Sequence, residues 1–189
     1  VPDQQTRERL HELEAQVTHL RRQMQDLRRA LPPEPVADYV FATLDGTVRL
    51  SELFAGKADL FVIHNMGRNC PYCTLWADEL NGFLPHVESR AALAVASPDD
   101  PATQRAFALA RGWRFRMVSY QGNSFAADMG YHDEQGFRPG VSVFRRAGEA
   151  ILRVADTGFA PHDDYCALWH LFDLLPEGAA GWKPQFAYV

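Results

Sequence analysis

Two cysteines three residues apart, Cys70 and Cys73, enclose Pro71 and Tyr72. The apolar run Leu60-Phe61-Val62-Ile63 precedes them, and a helical pattern from Pro71 to Leu84, carrying Leu75, Leu80, Phe83 and Leu84, follows. On a first helical turn, thiols at i and i+3 close a small disulfide with little movement. Cys70 then sits at the helix amino end, where free N–H groups and the dipole favour an anion. Such placement lowers a thiol from about 8.5 towards about 3.5–7.5, and the thiolate is the nucleophile. The spacing predicts exchange chemistry in which Cys70 attacks a disulfide and Cys73 resolves the mixed disulfide, with Arg68 placed to add positive charge. Two other uses of the pair stay open: inert cysteines in a structural or binding domain, or a metal site. Structural zinc takes four nitrogen or sulfur ligands, and with Cys166 the one remaining thiol a histidine would have to complete the set.

The elements that must position the pair can be read from pattern. Tyr39-Val40-Phe41 and Thr47-Val48-Arg49-Leu50 flank Asp45-Gly46, a hairpin signal, and Ser51 to Phe54 reads as a short helical turn. Leu60 to Ile63 is a strand buried on both faces, Ala92 to Ala96 is the next, and Asp100 before Pro101 caps a helix running to about Arg111. Phe115 to Val118 and Val141 to Phe144 are further strands, Arg146 to Glu149 is a turn, and Ile151 to Ala155 returns as its hairpin partner. A last helix is expected from about His162 to Leu175, with Tyr165, Leu168, Trp169, Phe172 and Leu175 on one face. Strands alternating with helices, closed by a hairpin and a helix, predict an α/β sandwich around a central mixed sheet.

Ahead of that sandwich, Leu10, Leu13, Val17, Leu20, Met24, Leu27 and Leu31 repeat at spacings of 3 and 4, an a/d heptad pattern. Pro32, Pro33 and Pro35 end the helix and make a stiff linker. The division expected is a heptad helix over residues 1–31, a proline-rich linker over 32–38 and the sandwich over 39–189. The apolar seam needs a cover. Either a second copy supplies it in a two-stranded coiled coil, the reading adopted, or it packs on its own sandwich. Asp3, Glu8, Glu12 and Glu14 lie early and Arg21, Arg22, Arg28 and Arg29 late, a bias that leans towards antiparallel pairing, although Arg7 and Arg9 interrupt it.

Composition narrows the classes. The 189 residues hold 47% hydrophobic and 23% charged residues, an ordinary globular balance that excludes disorder and fibrous repeats. With 19 basic and 24 acidic residues the net charge is −5, which provides no basic footprint for a nucleic-acid partner. No run approaches the ~18 apolar residues of a membrane span. Three cysteines are too few for a disulfide-stapled secreted scaffold, and no signal-peptide pattern is visible. A reducing, cytoplasmic setting is therefore expected, although a start at Val1 rather than Met is compatible with a removed leader.

The strand–CPYC–helix arrangement resembles the thioredoxin/glutaredoxin superfamily. His64 lies six residues before Cys70, the offset at which thioredoxins keep a buried proton-shuttling acid. Pro139, ahead of the strand Val141 to Phe144, resembles the superfamily's cis-proline, which faces the cysteines and pairs with substrate backbone. Phe41 to Gly46 and Leu50 to Phe54 resemble the amino-terminal hairpin of peroxiredoxin-like members. More narrowly the chain is similar, over about residues 36–175, to a bacterial thioredoxin-like domain-of-unknown-function family. Asp38 to Phe41, His64-Asn65-Met66, the CPYC motif, Trp76-Ala77-Asp78, Gly112-Trp113, Phe125 to Gly130 and Gly140 to Phe144 carry that likeness. It implies dithiol–disulfide exchange with the cysteines as the electron carriers, so no organic cofactor and no metal are assigned. Departures matter too. The peroxiredoxin motif needs Thr three residues before its cysteine, where Gly67 stands for Cys70 and Cys70 for Cys73, which disfavours a peroxidase. Asn69 replaces the Trp that precedes a thioredoxin's first cysteine, and His64 replaces a carboxylic acid with a group titrating nearer neutrality.

The reading adopted makes Cys70 nucleophile, Cys73 resolver, His64 a base, and Pro139, Tyr72 and Trp76 the substrate surface. Its partners are a disulfide substrate or a reductant protein. Plainer roles stand beside these. His64 also reads as a satisfied core histidine, Pro139 as a loop proline, Trp76 as helix packing and Tyr72 as a solvent-facing spacer. Cys166, among Ala167, Leu168 and Trp169, reads as a buried small apolar residue. Asp163-Asp164 reads as a helix amino end, and His132-Asp133-Glu134 as a loop with no committed role. The competing function is a non-catalytic dimeric interaction protein on the same fold.

Overall fold

The structure, a computed structural model, describes residues 3–188. In chain order its elements are α1 (Gln4–Ala30), β1 (Glu34–Val36), β2 (Val40–Thr43), β3 (Gly46–Arg49), α2 (Leu50–Leu53) and β4 (Asp59–His64). There follow α3 (Pro71–Arg90), β5 (Ala92–Ser97), α4 (Pro101–Arg111), β6 (Arg116–Ser119) and α5 (Phe125–Asp128). The short pair β7 (His132–Asp133) and β8 (Gly136–Phe137), the long hairpin β9 (Gly140–Ala147) and β10 (Ala150–Gly158), and α6 (Ala167–Phe172) complete the chain.

One mixed sheet runs β1-β10-β9-β4-β5-β6-β2-β3. Its centre is the parallel set β4, β5 and β6, with α3 and α4 as the crossovers, while β9 lies antiparallel to β4. Side chains alternate along β4. Leu60 and Val62 enter one core with Phe41, Leu50, Phe125 and Phe144, whereas Ile63 enters the other with Ala77, Leu84, Val95 and Trp113. Burial on both faces explains why β4 and β5 read as continuous apolar runs. A third cluster, Trp76, Cys166 and Trp169, seats the carboxyl-terminal segment on the start of α3. Among the described residues no helix is long and apolar enough to cross a membrane.

Several local expectations change in the fold. The proline segment carries strand β1, whose Glu34, Pro35 and Val36 pair with Arg153, Leu152 and Ile151 of β10. An edge strand accepts a proline because one side of its backbone has no ladder to fill. Helix α3 continues past Leu84 to Arg90 although it contains Pro85. The Asn81 carbonyl, which Pro85 cannot serve, accepts instead from the Arg114 guanidinium at 3.3 Å. The last helix is far shorter than His162 to Leu175. Asp163 accepts from the amides of Ala160 and Tyr165 at 3.0 and 2.9 Å, and His162 has φ +68°, so this stretch is a turn rather than a helix start. Asp164 pairs with Arg21 of α1 at 2.5 Å, and Arg28 reaches the Tyr165 hydroxyl at 3.4 Å. Apart from such polar ties α1 buries nothing. From Leu10 to Leu31 its seven seam residues stay 43–69% exposed, so the seam does not pack on its own sandwich.

Candidate active site

At the carboxyl end of β4 the chain makes a tight loop before entering α3. Asn65 donates its backbone N–H to the Ala96 carbonyl at 2.9 Å and accepts from Gly67 N–H on Oδ1 at 2.8 Å. Gly67 has φ +98°, and a Cβ there would lie 3.0 Å from the Asp99 carboxylate, which in turn accepts from Arg68 N–H at 2.7 Å. That position needs glycine on both counts. The loop delivers Cys70 to the cap position of α3, with Pro71 as the first helical residue.

Cys70 Sγ accepts the backbone N–H of Cys73 at 3.0 Å, so the sulfur itself caps the helix. The Cys70 carbonyl receives both the N–H and the hydroxyl of Thr74, each at 3.0 Å. Both cysteines are free thiols, Cys70 8% and Cys73 3% exposed. The hydrogen bond from the Cys73 thiol, helped by the backbone N–H groups of Cys73 and Tyr72, lowers Cys70 to about 7 despite burial. Cys73 moves the opposite way: donating to Cys70, burial and its neighbour's charge all hold its proton on, and only Met66 N–H, 3.5 Å from its sulfur, favours the anion among neighbouring loop groups. The two thiols are thus pushed in opposite directions, Cys70 towards the anion and Cys73 away from it.

His64 is 1% exposed and follows Leu60 and Val62 on their face of β4. Its ring stacks on Tyr131, centroids 3.8 Å apart, and Nε2 meets Ser142 Oγ at 2.9 Å. Nδ1 has no partner, and neither ring nitrogen is hydrogen-bonded to a cysteine. Burial, with Arg153 adding to it, lowers this histidine to about 3 and keeps it neutral.

Gly140 pairs with His64, so Pro139 stands one residue beyond β4 at the same end of the sheet as the cysteine loop. The Arg138–Pro139 bond is trans, which corrects the cis expectation drawn from the resemblance. Extended pairing on both flanks accounts for it: Arg138 N–H donates to Tyr131 O at 2.8 Å and Pro139 O accepts from Phe159 N–H at 2.9 Å. Gly140 must be glycine, because an added Cβ would collide with the Tyr131 ring and come within 2.6 Å of the Thr157 carbonyl. Half-buried Tyr72 packs towards Trp76 and Trp169, and Trp76 is buried against Phe159. Trp76, Val141 and Phe159 border an apolar cleft of about 560 Å³ whose rim carries Glu79 and Asp164. Cys166 is buried, and burial with a bond to Glu79 pushes its thiol up to about 12. Among the described residues no three His, Cys, Asp or Glu side chains converge as metal ligands.

Sequence reasoning missed Tyr120. It stands just beyond β6, is buried, and donates its hydroxyl to the Asn65 carbonyl at 3.0 Å, close enough to Cys73 to feel its charge. Nothing in an aromatic residue at a strand end announces this, because its partners are 55 and 47 positions away.

Fold and site together define a thioredoxin-fold protein of peroxiredoxin-like architecture that carries a CxxC pair. A mutant of Xanthomonas campestris peroxiredoxin Q superposes with a TM-score of 0.56 at 18% identity, over 64% of this chain and 80% of that one. Peroxidoxin BcpB from Mycobacterium tuberculosis gives 0.55 at 20%, over 65% and 84%. Reduced Prx3 from Vibrio vulnificus in complex with H₂O₂ gives 0.55 at 16%, over 70% and 90%. At these identities the likeness is one of fold. No curated protein matches the chain in sequence. The chain belongs to the family described as "Bacterial protein of unknown function (DUF899)", whose model matches residues 3–185.

Proposed function

We propose that the protein is a thiol–disulfide oxidoreductase working through Cys70 and Cys73. The observation that carries the reading is Cys70 Sγ capping α3 at 3.0 Å from Cys73 N–H, with its thiol lowered to about 7. Cys70 thiolate attacks a substrate disulfide, one substrate sulfur bonds to Cys70 and the other leaves as thiolate. Cys73 then displaces the bound sulfur, closing the Cys70–Cys73 disulfide and releasing a reduced substrate. A reductant thiol or protein reverses these steps to regenerate the dithiol. The sulfurs carry both electrons, so the exchange calls on no cofactor. A base role for His64 has little support, since burial makes its imidazole a weak base, lowered to about 3, and its Nε2 is bonded to Ser142 Oγ rather than to a cysteine. Pro139, Tyr72 and the cleft beside Trp76 supply the surface on which a disulfide-bearing protein or small molecule would lie. The same reading assigns the protein to a reducing, cytoplasmic setting. A peroxidase reading rests on fold alone, and fold does not carry function.

The test is a redox titration of the full chain, with thiols trapped by alkylation and the 70–73 peptide read by mass spectrometry. A reversible Cys70–Cys73 disulfide forming between about −300 and −120 mV is expected. A pair that never closes above about −300 mV rejects the reading and leaves the interaction-protein alternative.

We also propose that a second copy covers the exposed seam of α1. In support, the helix has an unfilled heptad stripe, an early half richer in acidic residues and a late half dominated by arginines, so a second copy can complement it. The full chain should run as a dimer by light scattering, and Leu13→Glu with Leu20→Glu should run as a monomer. A monomeric parent or a dimeric variant overturns the proposal.

A further inference from the structure

Cys73 must lose its proton as it attacks the mixed disulfide, and it must do so while buried. Besides its own N–H, the surroundings of its sulfur offer the Met66 N–H at 3.5 Å. The other end of that same peptide unit is the Asn65 carbonyl, and it accepts the Tyr120 hydroxyl at 3.0 Å. A chain of two hydrogen bonds therefore runs through a single amide, from Tyr120 O–H to Asn65 C=O and from Met66 N–H to Cys73 Sγ. Donation to a carbonyl draws electron density towards oxygen and makes the N–H of that amide a stronger donor. Bonds linked in this way reinforce one another, by about 10–30% each.

The same bond also fixes where the N–H points. Asn65 N–H is tied to Ala96 O and Asn65 Oδ1 to Gly67 N–H, which anchor the residue on either side. The plane of the Asn65–Met66 peptide is then set by Tyr120. We propose that Tyr120 is a positioning residue for Cys73, its hydroxyl orienting and polarising the amide that stabilises the sulfur as it becomes anionic. This rests on the exchange reading of the pair. In the step it assists, Cys73 sulfur bonds to Cys70 sulfur, the bond from Cys70 to the substrate sulfur breaks, and the departing thiolate takes up the Cys73 proton.

The titratable groups around this relay are Cys70 on α3, Asp99 between β5 and α4, and Tyr120 itself. Asp99 is held by Arg68 N–H at 2.7 Å. Burial, together with the charge of Asp99 and that of Cys73 once it ionises, keeps the Tyr120 phenol protonated and hence a donor. His64 stays out of the relay, with Nε2 on Ser142.

The test needs no exchange activity. In a Cys70→Ser background, Cys73 alkylation by iodoacetamide is followed from pH 6 to 10 and read on its own peptide by mass spectrometry, with Tyr120 present and with Tyr120→Phe. The phenylalanine keeps the ring in the core and removes only the hydroxyl. The expected result is a pH profile displaced upward, with alkylation at a given pH slowed about three- to ten-fold, the worth of one hydrogen bond. In the intact dithiol protein, Tyr120→Phe should prolong the mixed disulfide by a similar factor while leaving its rate of formation unchanged. Superimposable alkylation profiles overturn the proposal. Because that measurement stands apart from the redox titration, failure of one is separable from failure of the other.

Discussion

Cys70→Ser is expected to abolish exchange with a model disulfide, lowering the rate by at least about 10³-fold, since removal of a catalytic nucleophile can cost up to about 10⁶-fold. Cys73→Ser is expected to do something different: it should still attack, and then remain joined to its substrate through Cys70. The asymmetry follows from the site. Cys70 caps α3 and accepts the Cys73 backbone N–H, and its thiol is lowered to about 7, so a large share of it is thiolate at neutral pH. Cys73 is buried one turn inside, holding its proton until the mixed disulfide forms beside it. The check is stopped-flow reduction of a chromogenic disulfide, together with non-reducing gels of each variant after mixing with substrate. Equal loss in both variants without a trapped adduct would contradict these roles. A Cys70→Ser protein that still turned over would move the nucleophile elsewhere.

The second large effect concerns acid stability and has its origin at His64. Burial lowers this imidazole to about 3, whereas in an unfolded chain it titrates near 6.5. Above pH 6.5 neither state carries the proton, and the buried ring contributes its full packing. Below pH 6.5 the unfolded chain takes up a proton that the folded protein refuses until about pH 3. Stability is thus present at neutral pH and lost as the pH falls through this window. At 1.36 kcal/mol per unit, the loss by pH 4 is about 3 kcal/mol. His64→Phe keeps a ring to stack on Tyr131 and has nothing to titrate. Denaturant unfolding at pH 7 and at pH 4 should show the parent losing about 3 kcal/mol more than the variant. Asp59, lowered by its bonds to Arg145 and Arg90, also favours the folded state less in acid, but it does so in both proteins and cancels in the difference. Parallel losses would show that His64 accepts a proton without unfolding.

How far the site could be read from the chain differs residue by residue. The cysteine pair was legible because its chemistry is local: the spacing, the proline and the following helical pattern lie within one turn of each other. The β2–β3 hairpin around Asp45-Gly46, the Asp100-Pro101 start of α4 and the heptads of α1 were legible for the same reason. His64 was found by its offset from Cys70, yet its state was not, since neutrality comes from burial against Phe125 and Tyr131 and from Arg153, 61 to 89 positions further on. Tyr120 carried no signal at all.

The corrections have the same origin. The helical pattern after the cysteines reads only to Leu84, and α3 runs on through Pro85 because Arg114 satisfies the carbonyl that proline leaves free. His162 to Tyr165 reads as a helix start until Asp163 is seen to take two backbone N–H groups into a turn. The proline segment reads as linker until β10 offers an edge, and Pro139 reads as cis until its neighbours are seen paired in extended chain. What the sequence by itself determined is the set of features that depend on near neighbours: the dithiol at a helix start, the apolar central strands and the heptad stripe. The tertiary structure alone decided which groups stand beside the sulfurs and in what protonation state. Burial and hydrogen bonding there are set by residues that meet only once the sheet has formed.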